Sequence, residues 1–326
     1  MTDLDRLPYR NRRRSVSSIL WLLASTAAAA WIVWTSRDDI ALLADAALWV
    51  IVAMTVLHAV SIVAQAERFR VVLQQHAKRD IGIGAWTRMY VRGRLFSTLI
   101  PQSAHIYRGL ALRQDHGVSP MRYLSSLATQ TWMAVLAGLV FAAAILAMTL
   151  VGRQSPARLN VIGGLVIAAV VVGVSPIVLT RLSSYLPERI RRARVARLAG
   201  EALTLAGSTS RDGRVVGIFL AYVLVGLLAG GIGMTIAFAI GGEEIAWTTG
   251  VAVLAFVNLG NVISITPGNL GVQEIGIAAL AVLFGYSPAQ GVIASVVVRL
   301  SNIVALAVLV LLFEIEGLTT RKSTVH

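Results

Sequence analysis

The sequence contains no cysteine, and this absence excludes disulfides, thiol catalysis, iron–sulfur clusters and cysteine zinc sites. Charge is also scarce: 14% of the residues are charged, whereas about 25% are charged in a soluble domain. Hydrophobic residues make up 56% of the chain, compared with about 45–50% in a soluble domain. A soluble enzyme, a disordered chain and a coiled coil are therefore excluded. The five histidines have no metal-ligand spacing, so we expect no metal and no cofactor.

Long apolar runs account for this composition. Six of them approach the length of about 20 residues that crosses a hydrocarbon core of about 30 Å. They are residues 16–34, 46–66, 123–151, 159–180, 215–240 and 289–313. We therefore predict an all-α polytopic integral membrane protein with about six full transmembrane helices.

Two further apolar stretches are interrupted by proline, at Pro101 within 81–112 and at Pro267 within 246–284. Proline removes a backbone donor and disfavours helix in the preceding residue, so each stretch is predicted to form two half-helices. We interpret both as hairpins that enter the membrane and return to the same side. The second is long enough that its halves could instead cross completely, which leaves the topology unchanged.

The distribution of basic residues predicts the orientation. With both termini in the cytoplasm, the predicted internal loops are 67–80, which carries Arg68 and Arg70, and 181–214, which carries eight arginines. The first hairpin then opens inward and the second outward. Of the 29 lysines and arginines, 25 lie on or near the cytoplasmic face, which explains the net charge of +13 without nucleic acid.

The predicted layout is one membrane domain with short ends. It consists of a basic cytoplasmic N-terminus (1–15), a transmembrane domain (16–316) that includes a basic cytoplasmic segment (181–214), and a cytoplasmic tail (317–326). Within the basic segment, apolar residues are spaced among arginines over 186–205. This spacing is typical of an amphipathic helix on the membrane surface, and a solvated basic loop is the alternative.

The order of a helix, a proline-broken hairpin and a second helix occurs twice, over about 46–151 and 215–313. The first copy starts on the outer side of the membrane and the second on the inner side. Pro101 stands seven residues before Arg108, and Pro267 stands seven residues before Glu274. Inverted repeats with broken helices form the substrate site in many secondary transporters. Chance similarity between two proline-broken apolar stretches is the alternative.

Arginines of the first hairpin are candidates for binding a phosphate, because the guanidinium fork matches its oxygens. Arg108 is the main candidate and Arg94 the second, in a cationic hairpin that also carries His105. Arg88 and Arg92 are expected to extend to the membrane interface instead.

The second hairpin offers backbone N–H groups at Gly268, Asn269 and Gly271, which suit an anion at a helix N-terminus. The glycines could serve only close helix packing. Arg299 lies in the middle of the sixth apolar run. Placing an arginine inside a membrane helix costs at least about 2.5–3.5 kcal/mol, so Arg299 is expected to have a partner. Glu274 is the expected partner, either in a purely structural ion pair or with Arg299 also meeting a lipid headgroup.

The hairpin motifs LIPQSAHIYR (99–108) and PGNLGVQE (267–274), followed by Arg299, resemble the lysylphosphatidylglycerol synthase transmembrane region, also called the flippase-like domain. The pair Arg68-Phe69 matches an arginine that precedes a bulky residue in that family. Gln273 stands where the family usually has arginine. The resemblance covers about residues 45–316 and implies translocation of lipid between leaflets.

The resemblance implies a flippase in the bacterial inner membrane for an anionic phospholipid or a polyprenyl-phosphate-linked lipid. The alternative is a non-transporting membrane partner of a lipid-modifying enzyme or glycosyltransferase. No hydrolase or nucleotide-binding motif is present, and no aminoacyltransferase domain follows within the 326 residues. We therefore expect that this chain is not an enzyme.

Overall fold

A computed structural model of the chain describes residues 48–78, 80–99, 103–149, 156–184, 194–260 and 272–322. These residues form ten helices and no strand, which confirms the predicted all-α fold. The first predicted crossing, 16–34, lies outside the described residues, and so do both proline breaks, Pro101 and Pro267.

Long and short helices alternate along the chain. In order they are α1 (Leu48–Ala77), α2 (Ile83–Leu99), α3 (Ser103–His116), α4 (Pro120–Thr149), α5 (Pro156–Ser184), α6 (Arg194–Arg211), α7 (Gly213–Ile240), α8 (Trp247–Gly260), α9 (Val272–Phe284) and α10 (Pro288–Lys322). Five of them, α1, α4, α5, α7 and α10, are long and apolar enough to cross a membrane. They correspond to the second to sixth predicted runs, so the chain is a multi-pass membrane protein.

The C-terminal end of α1 differs from the prediction. Residues 67–80 were expected to form a cytoplasmic loop, but α1 continues to Ala77 and includes Arg68 and Arg70. The helix continues because Phe69 and Leu73 extend its buried face, each no more than 2% exposed. Glu67 also forms an ion pair with Arg70 one turn later. A charged sequence therefore stays helical and brings Arg68 into the helix bundle.

The order long, short, short, long occurs twice, in α1–α4 and again in α7–α10. The most extensive interface between helices joins α1 to α7, the first helix of each unit. The last helix of the second unit, α10, packs on α1 and α2, and α8 packs on α4. The two units are therefore interlocked, and each half of the molecule contributes to the surroundings of the other.

The two pairs of short helices are connected at opposite ends of α7. Asp212 caps the start of α7 and accepts a hydrogen bond of 3.4 Å from Gln75 Nε2, close to the turn that leads into α2. Beyond the other end of α7, Glu243 Oε1 accepts a hydrogen bond of 2.6 Å from Gln290, close to the turn that follows α9. The turn before the first pair and the turn after the second pair therefore lie at opposite ends of α7.

The basic segment after α5 contains a packed helix. Its described part, α6, starts and ends later than the predicted 186–205, and it packs on α4 and α5. Buried His76 of α1 joins Ser126 Oγ of α4 and Thr209 Oγ1 of α6, with both distances at 3.0 Å. Over 194–211 the helical interpretation is therefore correct and the solvated loop is wrong.

Close approach of α7 and α8 depends on two glycines that face each other, Gly231 and Gly250. A Cβ atom on Gly250 would lie 2.5 Å from the Gly231 carbonyl oxygen and would also overlap the Thr235 hydroxyl. Since backbone atoms cannot move aside as a flexible side chain can, these helices could not pack at this distance with a larger residue.

The substitution Gly250→Ala should therefore destabilise the protein by about 1–3 kcal/mol, the usual cost of overpacking. The melting temperature of the purified protein in detergent measures this effect. Gly217→Ala in α7 is the matched control, because no atom lies within 4 Å of the added Cβ. A melting temperature that falls equally in both variants, or in neither, would contradict the tight crossing.

Candidate functional site

The short helices α2 and α3 pack against each other, and Gly93 allows the contact to be close. A Cβ atom at position 93 would lie 3.1 Å from Arg108 Nε and 3.2 Å from the Ala104 carbonyl oxygen. The side chain of Arg108 therefore lies directly over the backbone of α2. This contact fixes one guanidinium group against the neighbouring helix.

Arg108 is buried, with only 5% of its surface exposed. Its Nε donates to the Ala104 carbonyl oxygen at 3.0 Å, and its guanidinium carbon lies 4.6 Å from the centre of the Tyr90 ring. A guanidinium at this distance from an aromatic ring is held by a cation–π interaction. The remaining N–H groups of Arg108 can still donate to an anion, since Nε alone makes the backbone hydrogen bond.

Arg94 approaches the same tyrosine from α2. Its Nη1 donates to Gln65 Oε1 at 2.6 Å, and the Tyr90 hydroxyl also interacts with Arg94. Gln65 in turn donates to Ser61 Oγ at 3.3 Å, so polar side chains of α1 orient Arg94. The structure thus brings together the two arginines that the sequence analysis selected in the first hairpin, Arg94 and Arg108.

A third arginine, Arg68 of α1, was missed as a site residue because 67–80 was assigned to a loop. It acts electrostatically on both Tyr90 and Arg94. Its Nε is buried and has no hydrogen-bond partner among the described residues. The available signal was the pair Arg68-Phe69, which the family resemblance had already marked. We call Arg68, Arg94 and Arg108 the arginine cluster.

Carboxylates do not neutralise the arginine cluster within the described part of the chain. The nearby acids are bound elsewhere: Glu67 pairs with Arg70, and Glu314 accepts a hydrogen bond of 2.6 Å from Arg92. The cluster therefore carries an excess of positive charge, and a bound anion would offset the cost of burying Arg108 in particular.

The electrostatic influence of Arg94, Arg108 and Arg68 converges on the phenol of Tyr90 in α2. His105 of α3 does not join these arginines in a described contact; its Nδ1 lies 3.3 Å from the Tyr123 hydroxyl.

The second hairpin contributes the ion pair that the sequence analysis predicted. Arg299 of α10 contacts the carboxylate of Glu274 in α9, and their side chains are 21% and 17% exposed. The pair is therefore mostly but not fully removed from the surface. The other predicted residues of this hairpin, Gly268, Asn269 and Gly271, lie outside the described residues.

A polar stripe runs along α1 from the arginine cluster. His58, Ser61, Gln65 and Arg68 recur at helical spacing, so they share one face of the helix. Ser61 Oγ donates to the Gly226 carbonyl oxygen of α7 at 3.4 Å, and His58 lies against Gly233 of α7. This stripe follows the interface between the two units.

Together, the fold and the arginine cluster define a polytopic membrane protein in which three arginines meet between helices, with no carboxylate paired to them among the described residues. The profile of the family described as Lysylphosphatidylglycerol synthase TM region matches residues 21–310. The chain belongs to this family, as its hairpin motifs indicated, and the family relates it to lipid metabolism. No curated protein and no solved structure matches the chain.

Proposed function

We propose that the chain is a transporter that moves an anionic lipid between the two leaflets of the bacterial inner membrane. The observation that carries the proposal is the arginine cluster around Tyr90, which is rich in N–H donors and has no described carboxylate partner. Membership of a lipid-related membrane family supports a lipid as the source of the anion.

The depth of the arginine cluster favours transport over simple surface binding. Measured from Ala77, Ile83 and His116 at 1.5 Å per residue, the three arginines lie about 14, 17 and 12 Å along their helices. The hydrocarbon core is about 30 Å thick and α1, with 30 residues, is about 45 Å long, so an α1 that is centred on the core and perpendicular to it places Arg68 about 6 Å inside the edge of the core. A headgroup bound there has already left the surface of its leaflet.

The polar stripe on α1 offers a route beyond the arginine cluster. It lies between two units whose short helices are connected at opposite ends of α7. In the proposed topology each pair of short helices enters and returns on its own side of the membrane. The headgroup then passes along the interface between the units while the acyl chains stay in lipid, and the chain performs no chemical step.

The topology proposed here has both termini in the cytoplasm. Single cysteines test it, because the native chain has none. A cysteine at exposed Gln114, after the first hairpin, should react only from the cytoplasmic side, and one at exposed Ser287 only from outside. Reaction of both cysteines with an impermeant maleimide added outside the cell would contradict the inverted arrangement.

Reconstitution in liposomes tests the transport function itself. A fluorescent anionic lipid is placed in both leaflets, and a membrane-impermeant quencher is added outside. With protein present, fluorescence should continue to fall beyond the outer-leaflet fraction; in protein-free liposomes it should stop there. If the protein binds the lipid but fluorescence stops at the same level, the chain is instead a non-transporting partner of a lipid-modifying enzyme or glycosyltransferase.

A further inference from the structure

The charge and the N–H donors of the arginine cluster distinguish between anionic headgroups. Three guanidinium groups converge on one phenol, and no described carboxylate balances them. A phosphodiester headgroup carries one negative charge. A phosphomonoester carries about −1.5 to −2 at pH 7 and presents three terminal oxygens.

We infer that the arginine cluster selects a phosphomonoester, and that the transported lipid ends in a terminal phosphate. This inference rests on the proposed function and names the substrate class for the same site.

Charge balance is the first argument. A cation at membrane depth is costly unless a counter-charge accompanies it. A diester balances one of the three arginines, whereas a monoester balances close to two. The headgroup with the larger negative charge therefore offsets more of the positive charge of the arginine cluster.

The number of donors is the second argument. Arg68 keeps a buried Nε without a described partner, and Arg108 uses Nε alone for its bond to Ala104. Three terminal oxygens can accept from three separate arginines at once, while a diester offers two non-bridging oxygens. Arg68 is then the residue that specifies the additional oxygen.

The same features disfavour a headgroup with an amine. A lysyl or ethanolamine group brings a cation next to three guanidinium groups, and no described carboxylate of the cluster can pair with it. Like charges at close range in a desolvated site repel strongly. Although the family takes its description from a lysyl lipid, this site is unsuited to one.

Thermal stabilisation of the purified full-length protein in detergent tests the inference. The probes are short-chain phosphatidic acid as the monoester, phosphatidylglycerol of the same chain length as the diester, lysylphosphatidylglycerol, and inorganic phosphate. We expect phosphatidic acid to bind at least about tenfold more tightly than phosphatidylglycerol, the contribution of one additional charge-assisted hydrogen bond. Lysylphosphatidylglycerol should bind more weakly than either.

Arg68→Gln is the diagnostic variant. It should reduce the affinity for phosphatidic acid by about tenfold or more and leave that for phosphatidylglycerol nearly unchanged. The variant removes one of three like charges, so its melting temperature without lipid should not fall. Arg68→Lys, which keeps the charge but loses the planar fork, should recover only part of the preference.

Each outcome of these measurements is decisive. Equal affinity for phosphatidic acid and phosphatidylglycerol, or an Arg68→Gln variant that keeps the full preference, overturns the inference while the transport function stands. Inorganic phosphate that binds as tightly as phosphatidic acid overturns the lipid as the source of the phosphate. A preserved preference without any movement of lipid in liposomes refutes the proposed function and leaves the headgroup assignment standing.

Discussion

Replacing Arg108 with glutamine should reduce the movement of anionic lipid in liposomes by up to about a hundredfold, the upper range for loss of a charge-assisted contact with a buried anion. Arg108 is the most deeply buried of the predicted site arginines that the structure describes, at 5% exposure, and it packs against both Tyr90 and Gly93. Glutamine fills part of the same volume and can donate to the Ala104 carbonyl oxygen, so the loss reports mainly the guanidinium charge.

Arg113→Gln is the control for this experiment. Arg113 belongs to the same helix but is exposed, so its substitution removes the same charge outside the arginine cluster. Its rate should stay close to that of the native protein. Unchanged movement with Arg108→Gln, or an equal loss in both variants, would show that the cluster does not carry the headgroup.

The second large effect is expected at the ion pair of Glu274 and Arg299. Removing one partner of a buried pair leaves an isolated charge and costs about 3–5 kcal/mol. Glu274→Ala and Arg299→Ala should each lower the melting temperature strongly. The double variant should be more stable than either single variant, because neither charge is then left alone.

A double-mutant cycle on the unfolding free energy measures this coupling. Additive losses would contradict a direct interaction. The rate of lipid transport by the double variant distinguishes a purely structural ion pair from one in which Arg299 also contacts the headgroup. In the second case the double variant should remain inactive. Normal transport by the double variant would assign the pair a structural role only.

The membrane-spanning helices could be predicted from the sequence because the length of an apolar run is enough to identify such a helix. A run of about 20 apolar residues has few alternatives to a membrane helix. The end of α1 could not be predicted in the same way. Arg68 and Arg70 give that end the composition of a loop, and only the packing of Phe69 and Leu73 shows that the helix continues.

The candidate site was partly predictable for a related reason. A charge in an apolar helix is costly, so Arg299 demanded a partner and Glu274 was the acid that the same repeat offered. The position of Tyr90 among three arginines involves α1, α2 and α3, and the sequence spacing within one helix carries no information about such a contact. Gln65, which orients Arg94 from another helix, was missed for this reason.

The close crossing of α7 and α8 was beyond sequence reasoning as well. The glycines of the second unit could be assigned to packing or to an anion, and nothing in the sequence pairs Gly231 with Gly250. Contact between two backbones is a property of the assembled helices. Similarly, the amphipathic pattern of α6 predicts a buried face but not the bridge from Thr209 through His76 to Ser126.

The most direct test of the central claim compares headgroups in the same proteoliposomes. The initial rate of movement between leaflets is measured for a labelled anionic lipid and for a labelled phosphatidylcholine with identical chains. If the arginine cluster carries the headgroup, the anionic lipid moves rapidly and phosphatidylcholine moves no faster than in protein-free liposomes. Equal rates for the two lipids, or no movement of either, would contradict the account.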